Sequence, residues 1–258
     1  MRPILFHLGT YPVHTFGVLL MLAFLAAIAL LRGRAERFGT TKDAITDIAF
    51  WTVIAGVLGA RILFIAQEWG YYSAHTKELF SLQFQGLTSF GGLIAGGIAA
   101  VALGRKHGIP TPRLLDLVAP SFILGHAIGR IGCLFNGCCA GGVCDPHAWY
   151  GVMSADEGGL HYPAQALDSV MNFAALGFVL LMERRGVRPL VTTGSVLFLH
   201  GLARFIYEFF RAGASSSVWF RVGPLPLTQA HAMAFAIMLL GFGLMAFGGV
   251  RRGQVRTA

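Results

Sequence analysis

Seven apolar runs dominate the chain, at about residues 13–31, 44–66, 87–103, 114–134, 163–181, 191–209 and 227–247. Each is roughly 17–23 residues long, the length at which a helix crosses about 30 Å of hydrocarbon. In lipid every backbone N–H and C=O needs a partner within its own segment, so such runs can only be helices. With 55% hydrophobic and 12% charged residues over 258 positions, a soluble domain is excluded. The expected class is an all-α integral membrane protein of seven transmembrane helices. The first run is followed by Arg32-Gly33-Arg34 without a cleavage site, so it reads as a retained span rather than a signal peptide.

The basic residues orient these spans. Of 20 Lys and Arg, thirteen follow the first, third, fifth and seventh runs (Arg32, Arg34, Arg37, Lys42; Arg105, Lys106, Arg113; Arg184, Arg185, Arg188; Arg251, Arg252, Arg256). Four lie on the other side: Arg2, Lys77, Arg211 and Arg221. The positive-inside rule then places the N-terminus outside and the C-terminus in the cytoplasm. The net charge of +8 is dispersed in these short clusters, which argues against a nucleic-acid partner. No repeat or compositional break divides the chain, so residues 1–258 read as one polytopic domain, and the longest outer loops fall near 135–162 and 210–226.

Three arginines remain inside the runs: Arg61, Arg130 and Arg204. A cation there needs a partner or a ligand, and the carboxylates in or beside the spans are Asp47, Glu68, Asp116, Asp168 and Glu208. Arg130 opens the densest polar stretch, residues 129–142, Gly-Arg-Ile-Gly-Cys-Leu-Phe-Asn-Gly-Cys-Cys-Ala-Gly-Gly. Its glycines allow a bend and a close backbone approach, which suits a polar pocket at the end of a span. In the sixth run His200, Arg204, Glu208 and Arg211 fall on one helical stripe. A guanidinium fork matches a phosphate and keeps its charge, so two inward arginines toward the outer leaflet point to a phospholipid headgroup. Glu208 is expected to orient Arg204, to act as a base, or simply to pair with Arg204 one turn away.

Other features carry blander expectations. Gly92-x-x-x-Gly96 and Gly125-x-x-x-Gly129 predict close helix packing. His126 reads as a helix-to-helix hydrogen-bonding group, and His14 and His161 are uncommitted. Cys133, Cys138, Cys139 and Cys144, on the oxidising side, read most simply as one or two disulfides bracing the loop. Adjacent Cys138 and Cys139 are not expected to share one tetrahedral zinc, and with no CxxC pair neither a metal nor a cofactor is expected.

In order along the chain, His14-Thr-Phe16-Gly17, Leu58-Gly-Ala-Arg61-Ile, Ser89-Phe90-Gly91-Gly92-Leu-Ile, Gly129-Arg130-Ile-Gly132 with Asn136-Gly137, Tyr162-Pro163-Ala-Gln165 and Arg204-Phe-Ile-Tyr-Glu208-Phe-Phe-Arg211 resemble the landmarks of the bacterial prolipoprotein diacylglyceryl transferases. The resemblance covers nearly the whole chain. It implies a multi-pass inner-membrane enzyme that moves diacylglyceryl from phosphatidylglycerol to the thiol of a lipobox cysteine in a precursor lipoprotein, releasing glycerol phosphate. By similarity, Arg130, Arg204 and Glu208 are the expected catalytic residues. Arg61, Arg130, Asn136, Gly137, Gly141, Arg204 and Arg211 are the expected substrate contacts, and membrane lipids are the other partners.

Four positions depart from the family pattern. Phe90 stands where many members have a histidine proposed as the base, Phe16 replaces a tyrosine, Cys133 an asparagine and Cys138 a glutamate. The residues alone leave two other readings open: a membrane thiol oxidoreductase using Cys133–Cys144, and a lipid- or lipoprotein-binding relative without catalysis.

Overall fold

The computed structural model describes residues 3–9, 11–75, 88–155, 158–186, 188–211, 218–222 and 225–250. Arg2, Lys77, Arg251, Arg252 and Arg256, used above for orientation, lie outside them. A helix covers each apolar run: α1 Thr15–Arg34, α2 Lys42–Gln67, α4 Ser89–Lys106, α5 Thr111–Asn136, α6 Ala164–Arg184, α7 Val191–Arg211 and α8 Gln229–Val250. A short α3, Trp69–Ala74, follows α2. Five of them, α1, α2, α5, α6 and α8, are long and apolar enough to cross a membrane. The 18 residues of α4 end in Arg105-Lys106, and α7 carries His200, Arg204, Glu208 and Arg211, so these two fall short by composition.

Burial is arranged as lipid solvent requires. Leu20, Met21, Leu22, Phe24 and Leu25 of α1 and Met233, Phe235, Leu239, Leu240 and Phe242 of α8 are exposed. The buried set is instead rich in polar groups: Gln165, Asp168, Ser169 and Asn172 on α6, and Thr192, Thr193, Ser195 and Glu208 on α7. Exposed apolar faces around a polar interior cost nothing in hydrocarbon and would be ruinous in water. The chain is a multi-pass helical membrane protein.

Its packing divides into two compact units, one of Met1–Leu30 with Leu115–Ala258 and the other of Leu31–Leu114. In the smaller unit α2 and α4 pack along glycines. A Cβ on Gly92 would stand 3.3 Å from the Gly56 carbonyl oxygen, and one on Gly96 would stand 3.5 Å from that of Thr52. The expected small-residue contact therefore forms there. The same expectation fails in α5, where Gly129 faces open space and Gly125 makes only an ordinary contact with Ala23. Spacing marks where backbones can touch, but which face meets a neighbour is a tertiary matter.

In the larger unit an apolar core of Ile123, Ala175, Leu176, Val179 and Val196 ties α5, α6 and α7 together. Helices α7 and α8 approach through Gly194 and Gly241, each of whose added Cβ would come within 2.6 Å of the other's carbonyl oxygen. Asp116 of α5 caps the start of α7. It accepts from the backbone N–H of Leu190 at 2.6 Å and of Thr193 at 2.8 Å, and from the Thr193 hydroxyl at 2.6 Å. Helix starts leave such N–H groups unpaired, and here the cap comes from another helix.

Among the described residues three short antiparallel strand pairs sit in the connections and before α1, where the apolar runs leave room only for loops: β1 Ile4–Leu8 with β2 Tyr11–His14, β3 Val152–Met153 with β4 Leu160–His161, and β5 Val218–Val222 with β6 Leu225–Thr228.

Candidate active site

The polar interior of the larger unit is assembled from side chains one helical turn apart. His126 and Arg130 come from α5, Asp168 and Asn172 from α6, and His200, Arg204 and Glu208 from α7. Asp168, 1% exposed, is the hub: its Oδ2 lies 2.6 Å from Arg130 Nε and 3.3 Å from His126 Nε2. The Arg130 contact is an ion pair without hydrogen-bond geometry, since the Nε–H is not aimed at the oxygen. The other oxygen, Oδ1, accepts from Asn172 Nδ2 at 2.7 Å, and Asn172 Oδ1 accepts from His200 Nδ1 at 2.8 Å. The rings of His126 and His200 meet edge to face, 4.7 Å apart.

Arg204 makes the matching pair with Glu208, Nη2 to Oε2 at 3.0 Å, and Glu208 is buried. Thr228, the last residue of β6 and just before α8, donates to Glu208 Oε1 at 3.4 Å. Both guanidiniums lie over the ring of Tyr207, itself fully buried, with Arg130 Cζ 4.9 Å and Arg204 Cζ 4.6 Å from its centroid. A guanidinium over an aromatic face is attracted by the ring quadrupole, so one ring attracts two cations that would otherwise repel. Among the described residues each arginine is engaged by carboxylate on one edge only, which leaves the rest of each fork open to a ligand.

The signature segment closes around this centre. Helix α5 ends in a Schellman turn: the N–H of Gly137 bonds the Leu134 carbonyl at 3.3 Å and that of Cys138 bonds the Cys133 carbonyl at 3.2 Å. Gly137 takes φ +78°, as that turn demands. Beyond it Gly141 N–H bonds the Tyr162 carbonyl at 2.9 Å, Gly142 N–H bonds that of Phe210 at 2.8 Å, and a Cβ at Gly141 would collide with both neighbours. His161 holds the loop from beneath, its Nδ1 2.9 Å from the Gly141 carbonyl and its Nε2 2.9 Å from that of Gly158. Gln165 donates to the Cys138 carbonyl at 2.7 Å, and Tyr207 donates its hydroxyl to that of Cys139 at 3.3 Å.

The structure thus brings Arg130, Arg204, Glu208, Gly137 and Gly141 together in one unit. Asn136, the last residue of α5, and Arg211, the last of α7, are half-buried at the same helix ends. Arg61 belongs to the smaller unit, where its guanidinium lies over the Tyr72 ring at 5.4 Å. Phe16 packs against Gly132, and Phe90 is exposed on α4. Residue-by-residue reading did not assign Tyr207, Asn172 or Thr228; the i, i+4 spacing of Asp168 and Asn172 was the available signal for one of them.

The cysteines correct two expectations. All four are free thiols, so no disulfide braces the loop. Adjacent Cys138 and Cys139 do face one point: with Cys133 their Sγ atoms all lie within 4.8 Å of one another. The reason is local, because Cys139 adopts a left-handed φ of +61°, which turns its side chain onto the same side as its neighbour's. Hydrogen bonding from Cys133, with Arg130 nearby, holds the Cys139 thiol well below the ordinary thiol range, at about 5.

Fold and site together define a polytopic membrane protein with two carboxylate-tethered arginines flanking one tyrosine inside its helices. A family model described as prolipoprotein diacylglyceryl transferase matches residues 3–247. The chain belongs to that family, and it is a transferase. Relatives named phosphatidylglycerol–prolipoprotein diacylglyceryl transferase include one from Geobacter sulfurreducens, 31% identical over 244 residues that cover 93% of this chain and 92% of that protein. Another, from Bacillus cereus, is 27% identical over 91% of this chain and 88% of that protein. A third, from Rhodopirellula baltica, is 38% identical over 138 residues, which are 52% of this chain and 28% of that protein.

Proposed function

We propose that the chain transfers the diacylglyceryl group of phosphatidylglycerol to the thiol of a lipobox cysteine in precursor lipoproteins, at the bacterial inner membrane. The reaction forms a carbon–sulfur bond at the glycerol carbon and breaks that carbon's bond to phosphate. Its demands are a fixed phosphate, compensation of the charge that develops on the leaving group, and a deprotonated thiol. Arg130 and Arg204 grip the phosphate through the fork edges their carboxylates leave open, and Glu208 orients Arg204. Asn136, Gly137, Gly141 and Arg211 shape the headgroup end. An apolar groove lined by Met171, Ala175, Phe178, Leu199, Leu202 and Ile206 suits an acyl chain.

The observation that carries this reading is the pair of guanidinium groups gathered over the one ring of Tyr207, 4.9 and 4.6 Å from its centroid. Buried cations in a membrane protein are costly enough to mark a ligand. In the cell the chain is one polytopic domain of seven spans, with the N-terminus outside and the C-terminus in the cytoplasm, which puts the site toward the outer leaflet. The test is transfer of labelled glycerol from phosphatidylglycerol to a lipobox peptide by the purified protein in detergent. Arg130-dependent transfer is expected; a folded protein that transfers nothing would refute the assignment.

A further inference from the structure

Cys133, Cys138 and Cys139 form the one group of three or more cysteine, histidine or acidic ligand atoms gathered at a point among the described residues. Their Sγ atoms lie within 4.8 Å of one another, and ligands at a tetrahedral zinc bound at about 2.3 Å stand roughly 3.8 Å apart. Closing that difference needs side-chain rotation rather than a new backbone. The backbone is already committed: the Schellman turn at Gly137 carries Cys138 back over the last turn of α5, and the left-handed Cys139 sets the adjacent thiol beside it. A left-handed cysteine is strained, and strain of this kind persists where the surroundings over-determine it.

The surroundings do so. Gln165, fully buried, holds the Cys138 carbonyl through Nε2 while its Oε1 has no hydrogen-bond partner among the described residues. Tyr207 holds the Cys139 carbonyl. Three thiolates around a divalent cation leave one net negative charge. The guanidinium of Arg130 is within electrostatic reach of Cys133 and Cys139, and that of Arg211 is within reach of Cys139. Cys144 stands apart from the cluster and is buried against Gly151.

We infer that Cys133, Cys138 and Cys139 hold a thiophilic divalent cation, zinc being the natural one, whose open fourth position receives the substrate thiol. Three protein ligands with one vacancy is the arrangement of catalytic zinc sites, and a thiol that coordinates such an ion is deprotonated outright. The inference rests on the transferase reading for its substrate. On coordination the lipobox thiol gives its proton to solvent. Its sulfur electron pair then forms the bond to the glycerol carbon, and the carbon–oxygen bond breaks with its pair leaving on the phosphate. The cation changes neither charge nor protein ligands.

The experiment uses the reduced, metal-free full chain in detergent titrated with Co(II). Expected are thiolate charge-transfer bands and intense tetrahedral d–d bands saturating at one equivalent. They are lost in Cys133→Ser and in Cys138→Ser, and kept in Cys144→Ser. A lipobox-cysteine peptide should shift the d–d bands while its serine analogue does not, and chelation should lower transfer at least tenfold, with zinc restoring it. Absence of the bands in folded wild-type protein overturns the inference, as does their survival in the triple serine variant or indifference to the peptide thiol. Full transfer by metal-free protein removes the metal and leaves the transferase reading standing. A cobalt site that answers to the peptide thiol without any transfer from phosphatidylglycerol keeps the metal centre and removes that reading.

Discussion

Arg130 Nε stands 2.6 Å from Asp168 Oδ2, across the α5–α6 interface and inside a membrane protein's polar core. The pairing that could have made Arg130 a purely structural residue is therefore real, and so is that of Arg204 with Glu208. Among the described residues both contacts leave most of the guanidinium fork unused, so pairing is compatible with the proposed phosphate grip: a carboxylate fixes each arginine while its other donors stay open.

Removing either arginine should cost transfer about 100- to 1,000-fold, the usual loss when one charge-stabilising donor is deleted. Arg130→Ala also leaves Asp168 buried with only His126 and Asn172 beside it and no arginine, and losing one partner of a buried ion pair costs up to about 3–5 kcal/mol. Arg130→Lys is therefore the cleaner variant, since it keeps the charge and loses the fork. Initial rates with labelled phosphatidylglycerol, normalised to folded protein, decide the matter, and a lysine variant with wild-type kcat/KM would count against a bidentate grip.

Asp168→Asn should keep the chain folded better than Asp168→Ala, because Asn preserves size and an acceptor for Asn172 Nδ2. With the anion gone, Arg130 is free to rotate. KM for phosphatidylglycerol should rise severalfold along with a fall in kcat. A variant with unchanged kinetics but lower thermal stability would show Asp168 to be structural only.

Gly141→Ala places a Cβ 2.8 Å from Tyr162 Cβ and 2.9 Å from the Phe210 carbonyl oxygen, contacts that only backbone movement relieves. Transfer should fall at least tenfold. Gly177→Ala in α6, whose added Cβ meets nothing within 4 Å, should stay within about 1 kcal/mol of wild type in stability and keep full activity. Assaying the two side by side separates loop geometry from a general intolerance of added methyls.

Asp116→Ala strips the cap from α7 and leaves two backbone N–H groups and the Thr193 hydroxyl without their acceptor. Each buried unpaired group costs about 1–3 kcal/mol, so the melting temperature in detergent should drop by several degrees. Activity per folded molecule should not change, because the groups that Asp116 caps, at Leu190 and Thr193, lie at the start of α7, about two turns before His200.

How far the chain could be read depended on the range of the interaction. Helices over all seven apolar runs follow from backbone pairing in hydrocarbon, a constraint that acts locally and shows in composition. The stop at Gly137 is equally local, an Asn-Gly C-terminal cap written in two residues. The hairpins at 152–161 and 218–228 were missed because strands this short have too few residues for an alternating pattern to declare itself.

The site divides in the same way. That Arg130, Arg204 and Glu208 are candidates for it was legible in the sequence, since an ionisable group within an apolar run needs a partner or a ligand and Arg204 and Glu208 share a helix face. Which carboxylate meets Arg130, that both guanidiniums share the ring of Tyr207, and that three free thiols rather than a disulfide follow at the end of α5 were decided only by the tertiary structure. These depend on how α5, α6 and α7 rotate against one another and on one left-handed residue, Cys139. No spacing along a single helix encodes a rotation between helices.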